Sequence, residues 1–169
     1  MHGIYLLLGT NLGDRLNYLL QATELIRKEV GMIVKTSSVY ETASWGKEGQ
    51  PDYLNQVLFV ESQQTPDELL KTIQGIEQQL GRTRMEKWGS RTMDIDILFY
   101  DQEQISQPDL VIPHPLLHTR RFTLSPLNEI APSLMHPVLK MQISELFSQL
   151  LDNLHVYKLF QTQHENKDI

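Results

Sequence analysis

Cysteine is absent from all 169 residues, so the chain has no disulfide framework and no thiolate metal site. Apolar runs of membrane-spanning length are missing too, although 40% of the residues are hydrophobic. The opening MHGIYLLLG has neither a basic head nor a small-residue cleavage site, so no signal peptide is expected. Positive charge is in short supply: 15 Lys and Arg face 21 Asp and Glu, giving a net charge of −6 and a pI near 5.5. That balance argues against nucleic acid as a partner and favours a small charged ligand held by a local cluster of cations. Neither Gly-x-x-x-x-Gly-Lys-Ser/Thr nor Gly-x-Gly-x-x-Gly occurs, so the stretch Gly9 to Gly13 reads as a tight structural turn. Repeats and interdomain linkers are likewise lacking. The expectation is one soluble, cytoplasmic, monomeric domain over residues 1–160, followed by a polar tail over 161–169.

What the chain does have is concentrated in one place. Arg82, Arg84, Lys87 and Arg91 fall within a dozen residues, and Asp94 and Asp96 follow at once. From Met93 the letters alternate as a strand should, with Ile95, Ile97 and Phe99 expected on one face and Asp94, Asp96 and Leu98 on the other. Two carboxylates two residues apart on one face stand within about 7 Å of each other. That spacing suits a pair of hard cations about 3.5–4 Å apart, bridged by carboxylate and phosphate oxygens. A lone Asp-x-Asp is more often a solvated edge. The neighbouring cations tip the reading toward a shared polyphosphate and its metals.

Along the chain, Ile4 to Leu8 is a buried strand, and Arg15 to Val30 has helical periodicity with Gly31 as its left-handed stop. Ile33 to Tyr40 reads as the next strand. A long loop, 41–52, precedes the alternating strand Tyr53 to Glu61, on which Tyr53 and Asn55 share a face. Thr65-Pro66-Asp67-Glu68 is a capping box that starts a helix running to Gly81, with Gln74 and Glu77 one turn apart on its surface. Leu110 to Ile112 is a short apolar run before Pro113-His114-Pro115, and a helix opens near Phe122 and runs to Ile130. A short helix over Ile143 to Leu151 and a last strand over Val156 to Phe160 complete the pattern. The order β-α-β-β-α-β predicts an α+β, ferredoxin-like core with C-terminal additions.

The run Lys87-Trp-Gly-Ser-Arg-Thr-Met-Asp-Ile-Asp-Ile-Leu98 resembles the signature of the 6-hydroxymethyl-7,8-dihydropterin pyrophosphokinase family, and further matches extend from Gly9 to about Pro132. The resemblance implies transfer of pyrophosphate from ATP to the hydroxymethyl group of 6-hydroxymethyl-7,8-dihydropterin, releasing AMP, in tetrahydrofolate biosynthesis. It implies two Mg²⁺ held by Asp94 and Asp96, with Arg82 and Arg91 neutralising the triphosphate and no side chain required as a general base. It further implies nucleotide contacts from Gln74, Arg84, Trp88, Ile97, His114 and Arg120, with Glu77 near the catalytic loop. Pterin contacts are implied from Thr42, Trp45, Tyr53 and Asn55, with Phe122 completing a sandwich over the ring. Ala43 departs from the family, which has proline there, and the basic loop after Arg84 is shorter. Two rival classes stand beside this reading. A polymerase-like nucleotidyl transferase would need a basic track that this acidic chain lacks, and a non-catalytic regulatory module would need no paired aspartates beside cations.

Overall fold

The computed structural model describes residues 1–42, 51–81 and 92–160. Strand β1 (His2–Thr10) lies inside the main sheet, antiparallel to β4 (Tyr53–Ser62) on one side and β5 (Asp94–Tyr100) on the other. Beyond β4 lie β2 (Met32–Thr36) and β3 (Val39–Thr42), both paired to it, and β8 (Val156–Phe160) adds to the edge of β3. The expected strand Ile33–Tyr40 is thus two strands. Ser37 breaks them apart by using its main-chain and side-chain groups to bond Val57 and Ser38 instead of continuing the ladder.

Helices α1 (Arg15–Glu29) and α2 (Pro66–Gln79) cover one face of the sheet. Asp14 caps α1 by accepting from the Asn17 N–H, and Thr65 with Glu68 forms the full capping box that starts α2. Gly81, at φ +82°, supplies the left-handed stop after α2. Gly31, expected to do the same for α1, is not left-handed. It is needed for space, because a Cβ there would stand 2.0 Å from the Glu61 carbonyl oxygen. Ile4, Leu6, Leu8, Ile26, Ile73, Ile76, Ile95 and Ile97 form the heart of this first core.

The opposite face carries the C-terminal helices α3 (Arg121–Ile130) and α4 (Ile143–Ser148), whereas the hairpin β6 (Ile105–Gln107) and β7 (Leu110–Ile112) sends Leu110 and Ile112 into the first core. Leu7, Val57, Leu98, Leu124, Leu127 and Ile143 make the second core. Phe99 belongs here as well, not beside Ile95 and Ile97 as strict alternation predicts. The pairing steps from Leu6↔Ile97 to Tyr5↔Phe99, so Leu98 is an extra residue in β5 and sends both itself and Phe99 to this face.

Candidate active site

One row of the sheet sets the site. Gly9 on β1 pairs with Asn55 on β4 and with Asp94 on β5, so the three residues lie side by side on the α3 face. Asp96 follows two residues on, opposite Leu7 and on the same face as Asp94. Tyr53 lies one step the other way along β4, paired with Thr42. Asn55 is 4% exposed and donates from Nδ2 to the Leu8 carbonyl at 3.2 Å, while its buried Oδ1 has no partner among the described residues. Burying an amide oxygen without a hydrogen bond costs about 1–3 kcal/mol, which a bound donor would return.

His114 and Arg120 reach this end of the sheet from the segment after β7. The His114 N–H donates to the carbonyl of the bulged Leu98 at 3.0 Å, and the Leu116 N–H donates to Nδ1 at 3.2 Å. An accepting Nδ1 leaves the proton of the neutral ring on Nε2. Burial, reinforced by the Arg120 guanidinium, pulls the imidazole pKa down to about 4, with Asp94 opposing the shift. Burial also lowers the pKa of Arg120, and Asp96 and Asp94 counter it. These mutual effects put His114, Arg120 and the two aspartates in one electrostatic neighbourhood. The Arg120 guanidinium carbon lies 5.6 Å from the centroid of the half-buried Phe122 ring, so cation and aromatic share a wall of the site.

Three supports were not read from the sequence as such. Glu77, on the helix surface by pattern alone and near the catalytic loop by resemblance, is 5% exposed and accepts the Ile95 N–H at 3.1 Å, fixing β5 between its two aspartates. Its place on the stripe Ile73, Ile76, Leu80 was the available signal. Arg15 donates to Glu41 at 2.7 Å and to the Asp52 carbonyl at 2.8 Å, and Asn11 donates to the Pro51 carbonyl at 3.2 Å. Together they tie the β1–α1 turn to the segments entering and leaving residues 43–50. Glu129 on α3 accepts from the Ser38 N–H and hydroxyl and from the Tyr40 hydroxyl. Burial works against its charge, yet these hydrogen bonds and the Lys158 ammonium at 3.9 Å hold its pKa below the usual carboxylate range. No local pattern signals that cluster, since Ser38 and Tyr40 are about ninety positions away in the chain.

Asp94, Asp96, Asn55, Tyr53, His114, Arg120 and Phe122 therefore sit on the α3 side of the sheet or at its margin. Thr42 is buried at the end of β3, its hydroxyl donating to the His155 carbonyl at 3.2 Å, so its main chain is what remains for a ligand. Gln74, half-buried on α2, and Ile97, 7% exposed in the first core, belong to the other layer. Trp45, Arg82, Arg84, Trp88 and Arg91 lie outside the described residues, as does the tail 161–169. Among the described residues no cluster of three or more His, Asp or Glu is placed to hold a metal alone. Any cation here would have two carboxylates and otherwise depend on its substrate and water.

The family model for 7,8-dihydro-6-hydroxymethylpterin-pyrophosphokinase matches residues 5–132, a span that runs from before Thr42 to beyond Phe122. The chain belongs to this family. Its reaction is pyrophosphoryl transfer to hydroxymethyldihydropterin in folate biosynthesis. The chain is 43% identical over 145 residues to the 2-amino-4-hydroxy-6-hydroxymethyldihydropteridine pyrophosphokinase of Aquifex aeolicus, covering 86% of this chain and 90% of that one. It is 45% identical over 127 residues to the enzyme of the same name from Bacillus subtilis, covering 75% and 76%. Among solved structures, wild-type Plasmodium falciparum HPPK-DHPS with SDX-DHP superposes with a TM-score of 0.67 at 20% identity. That match covers 88% of this chain but 43% of the Plasmodium chain, so the present chain spans less than half of that protein. At such identity the likeness speaks for the fold alone, an α+β core of ferredoxin-like type.

Proposed function

We propose that the row Asn55–Gly9–Asp94 is where the two substrates meet, the pterin on the Asn55 side and the ATP triphosphate on the Asp94 side. The observation that carries this is that one glycine separates an amide with an unused buried oxygen from the first of two same-face aspartates. Asn55 Oδ1 accepts an N–H from the edge of the pterin, and Tyr53 and Phe122 flank its ring. Thr42 contributes its main chain, and Trp45 adds a further contact to the pterin.

Asp94 and Asp96 offer hard oxygen donors with the spacing that two Mg²⁺ require, and these ions, when bound, neutralise triphosphate oxygens and polarise the β-phosphorus. Arg120 meets phosphate oxygens beside the aspartates, and His114 donates its Nε2 proton as a neutral ring. Arg82 and Arg91 take up charge as the bond between the α- and β-phosphates loosens and AMP departs. Arg84 and Trp88 serve as further nucleotide contacts. Gln74 and the main chain of Ile97 serve the nucleotide base, since β5 is the last strand in the sheet order among the described residues.

The test is product analysis. With MgATP and 6-hydroxymethyl-7,8-dihydropterin, the protein should form AMP in step with the pterin pyrophosphate, and chelation of divalent cations should stop it. ADP in place of AMP, or undiminished turnover in chelator, would overturn the assignment.

A further inference from the structure

The centre of the row holds no side chain at all. Gly9 has an ordinary backbone conformation, outside the left-handed region, so flexibility does not explain glycine there. Space does. A Cβ built on Gly9 would stand 2.8 Å from Asn55 Nδ2 and 3.9 Å from its Cγ. The next atom, the Leu54 carbonyl oxygen, is 4.0 Å away, and no atom of Asp94 is nearer. Asn55 has little room to yield, because it is 4% exposed and its Nδ2 is committed to the Leu8 carbonyl. That bond also fixes which way the amide faces, since Nδ2 is spent on β1 and Oδ1 alone is left over.

We infer that Gly9 is a positioning residue for pterin recognition: its missing side chain lets the Asn55 amide lie across β1 with Nδ2 on Leu8 and Oδ1 unspent. Alanine at position 9 pushes the amide off that bond and turns its acceptor away from the pterin edge. The displacement falls on one of the two substrates, because the added methyl touches Asn55 and leaves Asp94 alone. Position 9 thereby separates two functions on the two strands that flank β1. This inference rests on Asn55 being the residue that reads the pterin.

The experiment is a double-mutant cycle read by calorimetry. The ligands are 6-hydroxymethylpterin, titrated in the presence of Mg²⁺ and α,β-methylene-ATP, and α,β-methylene-ATP with Mg²⁺ alone. Gly9→Ala should weaken pterin binding tenfold or more and leave the nucleotide analogue within twofold. In an Asn55→Ala background the same Gly9→Ala change should cost pterin nothing further, since the atoms it strikes are gone. Unchanged pterin affinity in Gly9→Ala, equal losses for both ligands, or a full additional loss in the Asn55→Ala background would each overturn the role. If Gly9→Ala does not fold, Gly9→Ala/Asn55→Ala should fold again, and failure of both places the clash elsewhere and ends the inference. Should Asn55→Ala alone leave pterin affinity intact, the pocket assignment has failed first, which is a distinguishable result.

Discussion

The two faces of β5 differ in what covers them. Ile95 and Ile97 point into the layer of α1 and α2 and are 5% and 7% exposed. Asp94 and Asp96, their immediate neighbours, are only half-buried on the α3 face. The helices on the first face enclose the apolar side chains they meet. On the second face the core made by Leu7, Val57, Leu98 and α3 stops short of the row that holds Gly9. What is left beyond it is polar: an amide, two carboxylates, an imidazole and a guanidinium. Stability and chemistry are thus carried by alternate residues of one strand. Disturbing one set should leave the other set standing.

The largest expected effect is on the polar side. Asp94→Ala or Asp96→Ala should each lower kcat/KM by about 10³-fold, or about 4 kcal/mol of transition-state stabilisation, with the thermal midpoint within a few degrees of the parent. Unfolding of either variant would show that the faces are not separable. On the apolar side, Ile95→Ala should cost about 2–5 kcal/mol of stability in urea denaturation. The protein that remains folded should turn over at near-parental rate, and a loss of activity in excess of the loss of folded protein would break the comparison.

His114 sharpens it through pH. Its folded pKa of about 4 lies below the ordinary 6.5, so the unfolded chain binds the extra proton between those values. Stability is therefore full above about pH 6.5 and falls as pH drops toward 4, by about 3 kcal/mol at most from this group. His114→Asn should flatten that part of a pH–stability profile measured by denaturant midpoints, and an unaltered slope would assign the acid sensitivity elsewhere. The smallest effect is reserved for Arg15. Its pair with Glu41 is about one-third exposed on each side, and such pairs contribute about 0–1 kcal/mol. Arg15→Ala should shift the thermal midpoint by only a few degrees, and a larger loss would mean that tying residues 41 and 52 together supports the whole sheet edge.

Much of this was legible in the residues, for reasons that also explain the misses. Period-two alternation at Tyr53–Asn55 and Asp94–Asp96 is local, as are the Thr65 capping box and the stop at Gly81, and the fold respects each. The site residues were legible mainly through the signature around Asp94, which marks positions and not contacts. The bulge at Leu98 was invisible because it is a mismatch of lengths with β1, about ninety residues earlier. Gly31 looked like a helix stop, but its partner is Glu61 on another strand. Glu77 looked exposed because charge usually is. Its burial depends on an N–H of Ile95 that no helical pattern contains.

The interior position of β1 has a consequence for how the chain is made. Every neighbour of β1 in the sheet comes later: Ser62 to Leu54 on one side, and Tyr100 to Asp94 on the other. At synthesis rates of about 5–20 residues per second, the apolar run Ile4–Leu8 leaves the ribosome seconds before either partner strand exists. Until then it is an unpaired strand with two open edges, the kind of segment that seeks another chain. Factors that bind nascent apolar strands should therefore matter more to the yield of this protein than to its final stability.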